Sequence, residues 1–343
     1  MLSKQTYILG ELFAGAGGMA LGAHQAQLNG HGFYHAWVTD MDQDACQSLT
    51  NNIPVGETIC ERVENLDFDS ISRVDGLAFG FPCNDFSIVG ERNGISGEYG
   101  GLYRWGVKAL NILKPAFFVA ENVGGLSSSG GSRDFEVILS ALRSARYRIW
   151  PHTYHFEQYG VPQTRRRIII VGFREDLGIQ EFEHPTPTTI DCPRSCGEAL
   201  RDIPDSTPNH EQTKQSPRVI ERLSYIKQGE NVFTADLPEH LKLNMKSGAK
   251  ISQIYRRLQY NKPSYTVTGS GGGGTHLYHW MEPRALTNRE RARLQSFPDS
   301  FVFSGGKESV RKQIGMAVPP EGAKVIFSGV LNALIDHKIS SSC

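Results

Sequence analysis

The sequence predicts an α/β fold, a doubly wound, mostly parallel sheet joined to a second, smaller irregular domain. Three observations carry this: short apolar runs alternate with helix-like stretches through the first half, each run ends in a polar or glycine-rich segment, and the rhythm stops near Arg174. At the usual ~150 residues per domain, 343 residues make roughly two domains with room for a substantial core. The 36 Lys plus Arg balance 36 Asp plus Glu, so any basic surface must be local. With 39% hydrophobic and 21% charged residues the chain reads as neither disordered nor membrane-embedded, and no apolar run approaches the ~20 residues of a spanning helix. The start of the chain shows no targeting pattern, and six cysteines are too sparse for a disulfide scaffold. A soluble, cytoplasmic protein is expected.

Strands are expected at Tyr7 to Phe13, Phe33 to Thr39, Gly76 to Phe79, Ala116 to Ala120, Arg148 to Phe156 and Arg167 to Phe173, with helices between them. These make a first domain over residues 1–173. The next stretch is proline-rich and aperiodic, and the region to Pro283 carries short strands, charged turns and the glycine run from Gly269 to Gly274, giving a smaller domain over 174–283. Residues 284–343 turn helical and are expected to return to the first domain. Thr287 is a predicted N-cap with Glu290 at capping-box spacing. A closing helix over Pro320 to Ile335 has apolar residues near a 3.6 period, among them Val325, Ile326, Val330, Leu331 and Leu334. No internal repeat or low-complexity tract is present.

In open sheets of this kind ligands sit at the carboxyl ends of the strands, so the segments after the strands are where chemistry is expected. The first is Leu12-Phe13-Ala14-Gly15-Ala16-Gly17-Gly18, a turn whose glycines let backbone approach a nucleotide cofactor, with Asp40 at the end of the next strand able to accept ribose hydroxyls. A tight structural turn is the plain alternative. Cys83 in Gly80-Phe81-Pro82-Cys83-Asn84-Asp85-Phe86-Ser87 follows another strand; a lone cysteine is otherwise a small buried hydrophobe. Glu121-Asn122-Val123 ends a third strand, and Gln163-Thr164-Arg165-Arg166-Arg167 precedes a fourth. A thiol, a carboxyl and guanidinium groups would then converge on one sheet edge.

Together with RALTNRERARLQSFP from Arg284 and QIGMAVP from Gln313, these segments resemble, in order and over nearly the whole chain, the DNA cytosine-5 methyltransferases of bacterial or phage modification systems. The resemblance implies an S-adenosylmethionine-dependent methyltransferase fold. It implies Cys83 as nucleophile, Glu121 engaging the base, Arg165 helping to hold a flipped-out cytosine and Arg167 in support. It places S-adenosylmethionine against Phe13, Ala14, Gly15, Gly17, Gly18, Met19, Asp40, Met41, Val63, Gly80, Pro82 and Leu102, with Met316, Ala317 and Val318 completing the pocket. Such a thiol adds to cytosine C6, making C5 nucleophilic enough to take a methyl group, and Arg165 and Arg167 are candidates for favouring its thiolate. The family pattern is broken at Asn84, where Gln is usual, at Met316, where Asn is usual, and near Arg62-Val63, where an Asp is expected and Glu61 or Glu64 would substitute.

The target carbon is inaccessible in a duplex, so the base must be flipped out. The resemblance assigns 174–283 to target recognition and Ser87, Arg256, Arg257, Thr266, Thr268, Gly271 and Gly272 to double-stranded DNA. From His240 to Arg293, ten cationic side chains (Lys242, Lys246, Lys250, Arg256, Arg257, Lys262, Arg284, Arg289, Arg291, Arg293) stand against Glu282 and Glu290, a local positive surface or merely a solvated charged face. Cys192 and Cys196 with His184 and His210 read as free thiols and scattered histidines, and no metal is expected. A cognate restriction endonuclease is an expected partner, and a monomer the expected state. The alternatives are a tRNA cytosine-5 methyltransferase, a catalytically silent DNA-binding regulator, and, from the glycine turn alone, a nicotinamide oxidoreductase.

Overall fold

The computed structural model describes residues 5–81, 101–123, 132–243, 252–269, 271–272 and 274–337. Pro82, Cys83, Asn84, Ser87, Lys246 and Lys250 lie outside the described residues. The chain divides into two compact units, one of Met1–Phe156, Arg166–Thr186 and Pro320–Cys343, the other of Glu157–Arg165 and Pro187–Pro319.

Unit 1 is a seven-stranded sheet. Its strands are β1 (Thr6–Leu12), β2 (Gly32–Asp40), β3 (Val55–Cys60), β4 (Gly76–Gly80), β5 (Phe117–Val123), β6 (Tyr147–His155) and β7 (Arg166–Arg174), in the order β3-β2-β1-β4-β5-β7-β6. The pairings from β3 across to β5 are parallel, while β7 runs antiparallel to both β5 and β6, so the sheet is mixed, with its antiparallel part at one end. Six strands fall where the apolar runs predict them. The seventh, β3, is the half-exposed edge sequence VGETIC, too polar to stand out, and Gly56 lets it approach β2: a Cβ there would lie 2.4 Å from the Ala36 carbonyl oxygen.

Helices α1 (Gly18–Gln25), α2 (Gln43–Asn52), α3 (Tyr103–Leu113) and α4 (Ser132–Ser144) connect the strands, and the closing helix runs over Pro320–Asp336. That closing helix packs on α1 at a separation only glycine permits, since a Cβ on Gly22 would fall 2.4 Å from the Ala323 Cβ and 2.5 Å from the Pro320 carbonyl oxygen. Phe327 completes the contact edge-on to Phe33 at 5.2 Å. Beneath the glycine turn, Glu11 of β1 and His35 of β2 form a fully buried pair at 3.1 Å, and burial holds the Glu11 carboxyl above its usual range.

Unit 2 holds short helices α5 (Cys196–Ala199), α6 (Pro217–Tyr225), α7 (Asn288–Leu294) and α8 (Lys307–Met316); the closing helix of unit 1 is α9. In place of the expected short strands, its described residues carry isolated bridges such as Arg257 with Tyr278 and Tyr278 with Ala285. A small apolar core gathers Leu223, Ile226, Leu241, Ile254 and Tyr278. Thr287 caps α7 as predicted, its side chain accepting from Glu290 N while Glu290 accepts from Thr287 N. By contact, residues 284–319 group with unit 2, so the chain returns to the sheet at Pro320 rather than at 284. The reason is Arg289, whose guanidinium donates to the carbonyls of Pro208, Pro298 and Phe301 and so holds α7 within unit 2.

Candidate active site

The sheet order makes β1 the switch point, with β2 on one side and β4 on the other, and in open sheets of this kind the carboxyl ends at the switch point are where ligands bind. The turn after β1 winds through the left-handed region at Phe13 (φ 57°), Gly15 (φ 54°) and Gly17 (φ 86°) before α1 begins. Gly17 is required twice over, because a Cβ would also lie 2.7 Å from Ile53 Cδ1. The turn is tied to β2 by Ala14 N donating to Thr39 O at 2.9 Å and Gly15 N to Asp40 Oδ2 at 2.8 Å. Asp40 Oδ1 accepts from Asp42 N at 2.9 Å, and Asp42 caps α2. Among the described residues nothing lies within 4 Å of a Cβ built on Gly15, and Met41, which follows Asp40 in sequence, is 57% exposed, so both border open space.

The other expected cofactor residues divide by burial. Gly18 and Met19 are buried in α1 and Val63 packs in the core, so the Met19 and Val63 side chains face inward. Leu102 is half-buried at the N-cap of α3. Glu61 accepts from Arg62 N and Asn65 Nδ2, and Glu64 pairs with Arg62 at 3.6 Å. Met316, Ala317 and Val318 belong to unit 2.

At the ends of β4 and β5, Gly80 is the register partner of Glu121, and a Cβ on Gly80 would stand 3.3 Å from Glu121 Oε2. Glu121 Oε1 accepts from Arg167 Nε at 2.7 Å, with both side chains 13–15% exposed. Glu121 and Arg167 are diagonal neighbours across the antiparallel β5/β7 pair, where Glu121 faces Ile169, and so share a sheet face. The structure thus brings Glu121 and Arg167 together. Cys83 follows Gly80 by three residues and lies outside the described residues.

Arg165 departs from expectation. It precedes β7, in unit 2, and is 1% exposed, its guanidinium donating to the carbonyls of Val267 (3.0 Å), Gly315 (3.1 Å) and Ala317 (3.0 Å). It therefore fastens backbone segments instead of presenting donors to a base, and Arg167 is the arginine at the carboxylate. Arg165→Ala leaves three buried carbonyls without that donor, at about 1 kcal/mol or more each, so urea unfolding should show a loss of about 3 kcal/mol or more. Arg165→Lys should recover only part of it, because an ammonium lacks the planar fork.

Of the eight described cations in the expected positive surface, three are buried and three more are ion-paired. Arg257 is 5% exposed and donates to the carbonyls of His279, Leu223, Ile226 and Glu282, so it is a scaffold residue and not a phosphate ligand. Arg289 and Arg291 are buried, and burial brings Arg291 down to about 10. Arg284 is clamped by Glu282 and Glu290, Arg293 by Asp299, and Lys242 by Glu239. Arg256 and Lys262 remain. Thr266 is exposed, with its hydroxyl donating to Thr164 O at 2.7 Å, Thr268 is half-buried, and Gly271 lies over Arg311, whose Nε would be 2.7 Å from a Cβ there, while among the described residues nothing lies within 4 Å of a Cβ built on Gly272. Sequence reasoning missed Gln163 as an organiser: fully buried, it accepts from Val267 N and donates to Leu294 O and Gln295 Oε1. Its place at the head of the QTRRR run was the available signal. A cavity of about 530 Å³ in unit 2 is lined by Gln228, Gln259, Tyr260, Asn261, Trp280 and Met281, none of them an expected site residue. Cys196 is buried, its thiol donating to Gln259 O and pushed up to about 12 by burial, and no cluster of three or more potential ligands for a metal occurs among the described residues.

The family model for C-5 cytosine-specific DNA methylase matches residues 7–332. The chain is 52% identical over 338 residues to the Type II methyltransferase M.BbvI of Brevibacillus brevis, covering 94% of this chain and 90% of that one. It is 40% identical to the Type II methyltransferase M.NgoFVII of Neisseria gonorrhoeae, over 98% and 92% of the two chains. Among solved structures, a prophage-encoded E. coli protein described as a DNA modification methyltransferase superposes with a TM-score of 0.75 at 26% identity, covering 96% and 99%. DNMT2 of Spodoptera frugiperda, at 14% identity and a TM-score of 0.63 over 96% and 99%, shares the fold.

Proposed function

The chain belongs to the C-5 cytosine-specific DNA methylases, and from that membership we propose how its residues carry out the reaction and on what substrate. It is a DNA cytosine-5 methyltransferase; the tRNA alternative is not favoured, given the family matched and the Type II relatives. The substrate is a short duplex site from which one cytosine is flipped out, and Cys83 adds to its C6. The observation that carries this reading is the Glu121–Arg167 pair at 2.7 Å, standing opposite Gly80, three residues before Cys83.

Glu121 Oε2 accepts from the base's exocyclic amine, and the carboxyl group passes a proton to N3 to neutralise the negative charge that builds on the ring as C6 is attacked, while Arg167 fixes the carboxyl's orientation through Oε1. The residues at this sheet edge fit S-adenosylmethionine: Gly15 and Met41 border open space, and Asp40, tied to the glycine turn through Gly15 N, is a carboxylate of the kind that accepts from ribose hydroxyls. When bound, that group supplies the methyl as an electrophile. Residues 174–283 serve target recognition. The enzyme acts as a monomer in the bacterial cytoplasm on double-stranded DNA and protects it from a cognate restriction endonuclease. No described helix is long and apolar enough to cross a membrane.

Bisulfite sequencing of a plasmid from an expressing host that lacks its own cytosine methylation tests the reading. Protected cytosines confined to one short context are expected. A plasmid without methylcytosine would overturn it in favour of a silent DNA-binding protein.

A further inference from the structure

Two adjacent arginines of unit 2 have opposite surroundings. Arg257 is caged by four backbone carbonyls. Arg256 is half-buried, its guanidinium carbon lies 3.3 Å from the centre of the Tyr265 ring, and among the described residues its guanidinium has no hydrogen bond or ion pair. A separation that short puts the group over the ring face, where cation–π attraction holds it while its N–H donors remain available at its edge.

The platform under it is fixed. Ser264 is buried, accepts from Thr164 N at 2.9 Å and donates its amide to Pro162 O at 3.0 Å. On the other side of Tyr265, Thr266 Oγ1 donates to Thr164 O and Val267 N to Gln163 Oε1, each at 2.7 Å. The ring is thus tied on both sides to the segment 162–164. Of the described cations in the basic stretch, Arg256 and Lys262 alone are neither buried nor ion-paired, and Arg256 alone is stacked.

We propose that Arg256, held on Tyr265, reads a guanine in the target duplex and so sets its sequence specificity; this rests on the DNA methyltransferase reading. Guanine presents two acceptors, O6 and N7, on its major-groove edge, matching the guanidinium fork, whereas adenine presents one acceptor and one donor and would face a donor with a donor. A phosphate also accepts a fork, but a phosphate contact carries no sequence information, so its loss weakens every sequence alike, whereas loss of a base contact relaxes one position.

The test methylates a duplex pool randomised around the target cytosine with the purified full-length protein and reads sequence context after bisulfite treatment. The wild-type protein should require guanine at one position. Arg256→Ala should relax that position by roughly 10- to 100-fold and leave the others unchanged. Tyr265→Phe should match the wild type, and Tyr265→Ala should relax the same position, with thermal melting confirming that each variant is folded. Full preference at every position in Arg256→Ala, or a loss equal across all sequences, would overturn the inference. A wild-type protein that leaves no methylcytosine in any sequence would bring down the methyltransferase reading itself, and this inference with it.

Discussion

Cys83→Ala should lower methyl transfer to duplex DNA by roughly 10⁴-fold or more, the scale expected when a covalent nucleophile is removed. Cytosine C5 is too weak a nucleophile to take a methyl group from a sulfonium unaided, and addition of sulfur to C6 makes it enamine-like; alanine has no electron pair to add. An ordinary thiol near ~8.5 is only a few per cent ionised at neutral pH. The two arginines expected to favour the thiolate differ: Arg165 is surrounded by carbonyls, and Arg167 is paired with Glu121 at 2.7 Å. Much of the help to the nucleophile must therefore come through the base, by Glu121 stabilising the charge that addition creates. Single-turnover transfer of labelled methyl, with DNA binding measured alongside, checks the prediction. Binding should persist, and undiminished transfer would refute Cys83 as the nucleophile.

The strands were legible where apolar runs met glycine or polar ends, as at Gly76–Gly80, and illegible at Val55–Cys60, an edge strand that buries too little to show a pattern. That β7 inserts between β5 and β6 could not be read, because pairing order depends on contacts distant in sequence. The glycine turn, Asp40 and Glu121 were readable because each follows an apolar strand. Arg165 and Arg167 were not distinguishable in QTRRR, three chemically identical neighbours; what separates them is that β7 starts at Arg166, which places Arg167 on the face of Glu121 and leaves Arg165 in the preceding turn. The basic stretch misled for a related reason. Counting charges treats every arginine as surface, whereas Arg257 and Arg289 satisfy backbone carbonyls in a unit with few regular elements to do so.

Glu121→Gln should lower turnover by roughly 10²- to 10⁴-fold, the range for losing a group that acts on a proton in the transition state. DNA affinity should change far less. The amide is nearly the same shape as the carboxylate, so the backbone of β5 and Gly80 opposite it are undisturbed. Its orientation is nevertheless forced: Arg167 Nε–H is a donor and can donate only to the amide oxygen in place of Oε1, which turns the NH₂ toward the position of Oε2, on the Gly80 side. A donor then faces the cytosine's exocyclic amine, itself a donor, where an acceptor is required, and the carboxyl group that can pass a proton to N3 as the ring takes on negative charge is gone. Arg167→Lys should fall in the same direction, since an ammonium keeps the charge without the guanidinium's fixed plane. The diagnostic is the ratio of single-turnover rate to DNA Kd: a rate loss with affinity retained supports a role at the reacting base, equal losses in both would mark a structural residue, and turnover within about twofold of wild type would remove Glu121 from the reaction.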